Sequence, residues 1–185
     1  MADQTNGILS PFLRKLRIKT ALPYIKGSVL DFGCGVGNLA EFVNHEMYIA
    51  IDIDEESISI AQSSYPEHKF FATLQLENLS RKFDTVVSLA VIEHVSNAVE
   101  FINSLKALLA EDGLIVLTTP HPCGDIIHSI GSKLKLFSQE AHEEHQELIN
   151  GKRMKEIAVS CGMNIVKSKR FLFGLNQLFV LKAAE

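Results

Sequence analysis

The feature that most constrains this chain is a run of alternating glycines, Gly33, Gly35 and Gly37. An apolar pair, Val29-Leu30, precedes the run, and an apolar-periodic segment follows it. This order predicts a strand, a tight turn and then a helix. Glycines permit positive φ and let a ligand approach bare backbone, while a helix start directs free N–H groups and a positive dipole end toward it. The pattern therefore predicts a ligand site at this turn.

Two acids next to this turn restrict the kind of ligand. Asp52 ends a second short apolar run, and in nucleotide-binding α/β folds an acid at this place accepts hydrogen bonds from ribose hydroxyls. Asp31 stands two residues before the first glycine, where a carboxylate would repel a pyrophosphate. The third glycine also comes one residue earlier than in the dinucleotide fingerprint. Both departures disfavour a nicotinamide-dependent oxidoreductase and suit a ligand with an amino group and a sulfonium.

Four sequence blocks follow one another in order: V-L-D-F-G-C-G-V-G, I-D-I-D, F-D-T-V-V-S-L-A-V-I-E-H-V and G-L-I-V-L-T-T-P. With the segments between and after them they cover about residues 28–181, and together they resemble the class I S-adenosyl-L-methionine (SAM)-dependent methyltransferases. The resemblance implies a doubly wound, Rossmann-like seven-stranded sheet of order 3-2-1-4-5-7-6 whose last strand is antiparallel. It also implies SAM as cofactor, S-adenosyl-L-homocysteine as product and a small-molecule acceptor.

The resemblance also assigns roles to residues of the cofactor site. It implies that Asp52 binds the ribose, that Ile53 packs on the adenine and that Leu89 lines the methyl end. Family members often have an acid near the adenine amino group, but this chain has Ala72-Thr73-Leu74 there, so Thr73 and backbone groups are expected instead. The methionine end is expected to contact the loop residues Asp31, Gly33, Cys34, Gly35 and Gly37.

Three histidines are candidate bases for the transfer step. Methyl transfer to a hydroxyl usually needs a base, whereas a carboxylate needs none. His94 follows the fourth predicted strand, His121 follows the fifth, and His145 lies farther along the chain; His94 is the leading candidate. Some quinone-biosynthesis relatives bind a divalent metal through E-x-x-E-H. Because Ala90 replaces the first glutamate of that motif, no metal site is predicted.

The order of the elements predicts the architecture independently of the resemblance. Strands alternate with helices, which predicts parallel pairing in a doubly wound sheet with ligands beyond the carboxyl ends of the strands. The expected strands are 28–32, 48–52, 68–72, 83–89, 114–119, 163–168 and 177–181. One helix is expected over 98–109 with Gly113 as its cap, and another over 150–161.

Two segments fall outside this alternation. Residues 1–27 form an N-terminal segment, helical over 11–25 and ended or kinked by Pro23, with basic residues that form either a solvated face or a lip that attracts an anionic substrate. Residues 122–147 form either a lid insertion or a surface helix. The acidic run after Glu140 is interpreted as a solvated face and not as a metal cluster.

Composition sets the remaining bounds. The 185 residues fit a single methyltransferase domain, and the net charge of −4 does not suggest nucleic-acid binding. Three widely spaced cysteines, no secretory signal and no apolar run near the ~20 residues of a membrane span predict a cytoplasmic protein. A non-catalytic SAM-binding or interaction module is the alternative to an enzyme, and the oligomeric state is not predicted.

Overall fold

The computed structural model describes residues 10–73, 81–122 and 149–184. Its centre is one sheet of seven strands in the order β3-β2-β1-β4-β5-β7-β6. The strands are β1 Val29–Phe32, β2 Tyr48–Asp52, β3 Lys69–Ala72, β4 Phe83–Leu89, β5 Leu109–Pro120, β6 Met163–Phe171 and β7 Asn176–Ala183.

The pairing confirms the predicted sheet. Strands β3, β2, β1, β4 and β5 pair in parallel, and β7 lies antiparallel between β5 and β6. The strands with both faces covered, β1 and β4, are buried along nearly their whole length, as expected for a parallel sheet. Because these strands run the same way, the segments that follow β1, β2, β4 and β5 meet at one edge, called here the carboxyl edge.

Helices cover both faces of the sheet. They are α1 Ser10–Ala21, α2 Glu55–Ser64, α3 Ala98–Lys106 and α4 Gly151–Ser160. One core packs α3 and α4 against the sheet, and the other packs α1 and α2 against the opposite face. Asp54, Asn97 and Asn150 cap α2, α3 and α4 through their side-chain oxygens, each of which accepts from backbone N–H groups of the first turn.

The helix expected after the glycine loop is the main departure from prediction. The chain instead forms a five-residue 3-10 helix, Asn38–Phe42, with Gly37 in the left-handed conformation before it. Of the predicted apolar segment, Leu39 is buried and Val43 packs against the core, but Phe42 is 43% exposed and the helix ends there. A helix this short has a smaller dipole than the α-helix expected here, so its first turn attracts a negatively charged group less strongly.

Gly113 does not cap α3, which ends at Lys106. Strand β5 begins earlier than predicted, at Leu109, and its pairing with β4 shifts register near Phe83. A Cβ on Gly113 would lie 3.0 Å from the carbonyl oxygens of Ala110 and Phe83. The glycine therefore permits a close backbone approach inside this irregular strand.

Helix α1 ends at Ala21, and Pro23 falls in a short 3-10 turn, Leu22–Tyr24, in agreement with its predicted effect. Residues 1–9 and nearly all of the predicted 122–147 insertion lie outside the described residues. None of the helices in the described part of the chain is long and apolar enough to cross a membrane.

Candidate functional site

The glycine loop is tied to the neighbouring strand at the carboxyl edge. The N–H groups of Gly33 and Cys34 both donate to the Ile51 carbonyl oxygen, at 2.8 and 3.1 Å. Gly33, Gly35 and Gly37 have φ of 75°, 52° and 76°, in the left-handed region that glycine adopts without a Cβ penalty. The positive φ values expected from the sequence are therefore present at all three positions.

The three glycines differ in what surrounds them. A Cβ on Gly33 would lie 2.4 Å from Val91 Cγ2, and one on Gly37 would lie 2.7 Å from the Phe70 ring. A Cβ on Gly35 would meet no atom within 4 Å. Gly33 and Gly37 thus allow protein packing, whereas Gly35 leaves bare backbone facing open space that a ligand can occupy.

Asp31 is buried beneath this loop. Its side chain is 3% exposed, and its Oδ2 accepts a hydrogen bond of 2.6 Å from the Tyr48 hydroxyl. Burial raises the pKa of Asp31 to about 7; the Tyr48 hydrogen bond lowers it and nearby Asp52 raises it further. A buried, partly protonated acid gains most from a cationic partner, so Asp31 fits a ligand that carries an ammonium group. Sequence reasoning did not anticipate the contact with Tyr48, which depends on the β1–β2 register.

The Cys34 side chain is half-buried, and its thiol donates to the Gly35 carbonyl oxygen. Burial raises its pKa, and the negative charges of Asp31 and Asp52 raise it further. A thiol in this environment stays protonated, so it can line a ligand site but is not a nucleophile.

Asp52 is held by the backbone on two sides. Its Oδ2 accepts from the Gly35 N–H at 2.7 Å, and its Oδ1 accepts from the Asp54 N–H at 3.0 Å. A carboxylate has about four acceptor positions, so these two bonds fix its orientation and leave capacity for a ligand's hydroxyl groups. This geometry fits a ribose next to the open backbone of Gly35.

The predicted adenine contacts lie on adjacent strand ends. Ile53 follows β2 and is 68% exposed, and half-buried Thr73 follows β3. Asp52 pairs with Ala72, so Ile53 and Thr73 leave the sheet side by side. Half-buried Leu89 ends β4, and Leu89 and the glycine loop, which follows β1, both reach the carboxyl edge.

The candidate bases have different environments. His94 is exposed and ends the 3-10 helix Ile92–His94, which follows β4. His121 is buried directly after β5; burial lowers its pKa, and nearby Arg170 lowers it further. His145 lies outside the described residues. The structure thus brings His94 and His121 to the carboxyl edge, on the ends of neighbouring strands.

A polar cluster next to these histidines was not predicted as a functional unit. Arg17 of α1 donates from Nε to Asn176 Oδ1 at 3.1 Å, so this basic residue does not belong to a solvated face. Glu93 is 4% exposed, and its charge interacts with that of Arg17. The basic residues of α1 were the only sequence signal for this cluster. Within residues 10–73, 81–122 and 149–184, no three His, Cys, Asp or Glu side chains lie close enough to hold a metal ion.

Comparison with curated proteins finds ubiquinone biosynthesis O-methyltransferases. The mitochondrial protein of Arabidopsis thaliana is 34% identical over 110 residues, which are 54% of this chain and 34% of that protein. The protein of Agrobacterium fabrum is 25% identical over 150 residues, which are 75% of this chain and 60% of that protein. The chain thus spans about a third to three fifths of the length of these two relatives.

Solved structures share the fold. A magnesium protoporphyrin IX methyltransferase from Synechocystis with bound S-adenosylhomocysteine has a TM-score of 0.72 at 18% identity, covering 99% of this chain and 90% of that one. The plantazolicin methyltransferase BpumL with a desmethylplantazolicin analogue and S-adenosylhomocysteine has a TM-score of 0.71 at 17% identity, covering 95% and 86%. The family model described as a methyltransferase domain matches residues 8–168, and the chain belongs to this family.

Proposed function

We propose that this protein transfers a methyl group from SAM to a small-molecule acceptor. The observation that carries the proposal is the arrangement at the glycine loop: open backbone at Gly35, a buried acid at Asp31, and Asp52 held by the Gly35 N–H. The family membership and the likeness to methyltransferases solved with S-adenosylhomocysteine support the same reading. When bound, SAM supplies an electrophilic methyl group on a sulfonium.

In this proposal, different residues of the loop and the neighbouring strand ends contact different parts of the cofactor. The ammonium group lies toward Asp31, with Gly33, Cys34, Gly35 and Gly37 along the methionine chain. The ribose hydroxyls bind the free acceptor positions of Asp52, and the adenine lies against Ile53 and Thr73. Leu89 borders the methyl end. The exposure of Ile53 supports the adenine contact, since a flat apolar ring would cover it.

The acceptor proposal is limited to a small molecule with a hydroxyl, amine or carboxylate, and His94, His121 and His145 remain candidate bases. The curated relatives of quinone biosynthesis support an oxygen acceptor, but this chain spans only part of them. We further propose one methyltransferase domain over 1–185, a lid at 122–147 and a cytoplasmic location. The free thiols of Cys34 and Cys161 suit a reducing compartment.

Ligand-dependent melting tests the cofactor assignment. S-adenosylhomocysteine should raise the melting temperature, because a ligand that binds only the folded state stabilises it. NAD and NADP should have little or no effect, because Asp31 repels a pyrophosphate. Clear micromolar binding of NAD without any response to S-adenosylhomocysteine would overturn the proposal.

Turnover of methyl-labelled SAM with a small-molecule cell extract tests the enzymatic assignment. Mass spectrometry should find labelled products that are absent when the protein is omitted. Binding of S-adenosylhomocysteine without any labelled product from a range of extracts would favour a non-catalytic SAM-binding module.

A further inference from the structure

The side chain of Glu93 has an unusual environment for a carboxylate. It is 4% exposed, and its Oε2 atom is closed to solvent without a hydrogen bond to any residue in the described ranges. Burying a carboxylate oxygen without a donor is costly, and native structures contain few such atoms. Oε2 can therefore accept a hydrogen bond that the described residues do not supply.

The backbone places Glu93 two residues after a residue that contacts the candidate cofactor loop. Ala90, between β4 and the Ile92–His94 helix, has a φ of 61°, and its N–H donates to the Thr118 carbonyl oxygen at 2.8 Å. Val91 then packs on Gly33, leaving no room for a side chain there. A left-handed non-glycine residue persists only where neighbours fix it, and such residues cluster at functional sites. The turn thus fixes Glu93 two residues from a contact with the glycine loop.

The charges around Glu93 keep it able to ionise. Burial raises its pKa; its own backbone N–H, Arg17, His94 and Thr119 lower it. Arg17 lies on α1, and its Nε donates to Asn176 Oδ1 of β7. Arg14 lies near enough to Arg17 to add positive charge. The positive charge of Arg17 thus favours the ionised form of Glu93, while burial favours the neutral form and is the larger effect.

We propose that Glu93 Oε2 accepts the proton that the methyl acceptor loses, and that Arg17 is a positioning residue for it. This inference rests on the proposed methyltransferase function and narrows the acceptor to a group with O–H or N–H. As the methyl carbon's bond to sulfur breaks, its bond to the acceptor oxygen or nitrogen forms. The acceptor proton passes to Glu93, so the sulfonium and the carboxylate both become neutral and charge balances.

The position of Glu93 distinguishes it from the neighbouring histidine. His94 is exposed, where water competes for its proton, whereas Oε2 is shielded from water. Because Oε2 is closed to solvent, the acceptor must reach it through a local opening of the segment around Glu93. Its O–H or N–H group then donates a hydrogen bond to Oε2.

Labelled-SAM turnover with the small-molecule extract, measured against pH, tests this role. Glu93→Gln keeps the size of the side chain but removes its basicity, so turnover should fall by roughly 10²–10⁴-fold, the usual contribution of a general base. Affinity for S-adenosylhomocysteine, measured by calorimetry, should stay within about threefold of wild type. Glu100→Gln, at an exposed acid on α3, is the matched control and should change neither quantity.

The pH profile separates a positioning role for Arg17 from a structural one. Wild-type turnover should decline in acid as Glu93 becomes protonated, above the ordinary glutamate value of 4.5. Arg17→Gln removes a charge that favours the ionised form, so this decline should move to higher pH; Arg17→Lys should restore its position. A purely structural Arg17 would lower the melting temperature and leave the decline in place.

Three results would overturn the inference. One is a Glu93→Gln variant with more than a tenth of wild-type turnover, and another is a wild-type profile that does not decline toward acid over the pH range in which the protein stays folded. The third is loss of the acid decline in His94→Ala but not in Glu93→Gln. If Glu93→Gln does not fold, Glu93→Asp should lower turnover while keeping the decline. Failure of the wild type to bind S-adenosylhomocysteine would contradict the proposed function itself, which distinguishes the two failures.

Discussion

At the scale of single residues, the two loop acids illustrate opposite uses of a carboxylate. Asp31 is buried with one donor, the Tyr48 hydroxyl, and its pKa is raised; Asp52 receives two backbone N–H groups in a more open position. Burial of Asp31 with a single donor is unfavourable, and a cationic ligand can offset that cost. The oxygens of Asp52 are oriented and partly open, so they can accept directional hydrogen bonds from a ligand. The two acids thus fit the charged and the hydroxylated parts of one ligand.

Asp31→Asn should stabilise the ligand-free protein. The folded-state pKa of about 7 lies above the ordinary 3.8, so wild-type stability is full in acid and declines as the pH rises between these values. At about 1.4 kcal/mol per pKa unit, the variant should gain up to a few kcal/mol at pH 8 and little at pH 4. Calorimetric melting across this range checks the sign.

The same variant should bind S-adenosylhomocysteine more weakly, because the attraction to its ammonium group is lost. Asp54→Asn is the control: this exposed helix cap tolerates asparagine, so no gain in stability above pH 7 is expected. Equal melting temperatures of Asp31→Asn and wild type at pH 8 would contradict a costly buried charge.

Asp52→Ala should mainly affect ligand binding. It removes the proposed pair of charge-assisted hydrogen bonds to the ribose, each worth roughly 1.5–3 kcal/mol, so affinity for S-adenosylhomocysteine should fall at least tenfold. The fold should survive, since the side chain lies at a strand end and is not part of either core. Wild-type affinity of a folded variant in calorimetric titration would move the ribose contact elsewhere.

At the scale of elements, the glycine loop combines packing and binding in five residues. Gly37 sits against Phe70 and Ala61 of the neighbouring β3 and α2, whereas Gly35 faces open space. Both have positive φ, so an alanine at either position carries a similar backbone penalty of about 1–2 kcal/mol. Any further difference between two alanine variants then comes from the surroundings and not from the backbone.

Gly35→Ala and Gly37→Ala should therefore separate affinity from stability. In denaturant unfolding, Gly35→Ala should lose only the free energy of the backbone penalty. It should bind S-adenosylhomocysteine at least tenfold more weakly, because its methyl group occupies the proposed ligand space. Gly37→Ala should lose a further ~1–3 kcal/mol by overpacking against Phe70. Equal ligand affinity of wild type and Gly35→Ala would show that the open space is not used.

The elements also show which features the sequence can predict. Apolar runs gave β2 and β4 with their observed bounds, and the resemblance gave the antiparallel β7. The prediction of an α-helix after Gly37 was wrong, because the apolar periodicity of the sequence does not show that Phe42 stays exposed. The extension of β6 to Phe171 was missed because its Lys-rich end belongs to an edge strand, where polar residues are tolerated on both faces.

The candidate site was only partly predictable, because some of its contacts join residues that are far apart in the sequence. The residues of the glycine loop and Asp52 are local in sequence, and spacing identifies them. The contact between Arg17 and Asn176 joins residues 159 positions apart, and it depends on how α1 crosses the sheet. The orphaned oxygen of Glu93 also becomes visible only when its surroundings are known.

At the scale of the whole molecule, the two edges of the parallel sheet have different roles. The carboxyl edge carries the glycine loop, the left-handed Ala90, exposed Ile53 and the under-satisfied Glu93 Oε2 of the proposed site. At the opposite edge, Asp84 of β4 accepts hydrogen bonds from the Ser28 N–H at 2.7 Å and the Ser28 hydroxyl at 2.8 Å. The Asp84 N–H donates back to that hydroxyl at 3.1 Å. This satisfied network holds β1 to β4 where their chains enter the sheet.

Asp84→Ala should consequently lower the stability of the protein without changing its affinity for S-adenosylhomocysteine. Losing hydrogen bonds to a charged group costs about 1.5–3 kcal/mol, which corresponds to roughly 3–12 °C in melting temperature for a chain of this size. The pKa of Asp84 is lowered by the Ser28 N–H and hydroxyl, so its contribution should be complete at neutral pH and disappear as the pH falls through that lowered value. Affinity for S-adenosylhomocysteine should stay within about twofold of wild type. Asp52→Ala provides the comparison, because it also loses its hydrogen bonds from the Gly35 and Asp54 N–H groups but should bind at least tenfold more weakly. A folded Asp84→Ala variant that binds tenfold more weakly would mean that the two edges are coupled through β1 and β4.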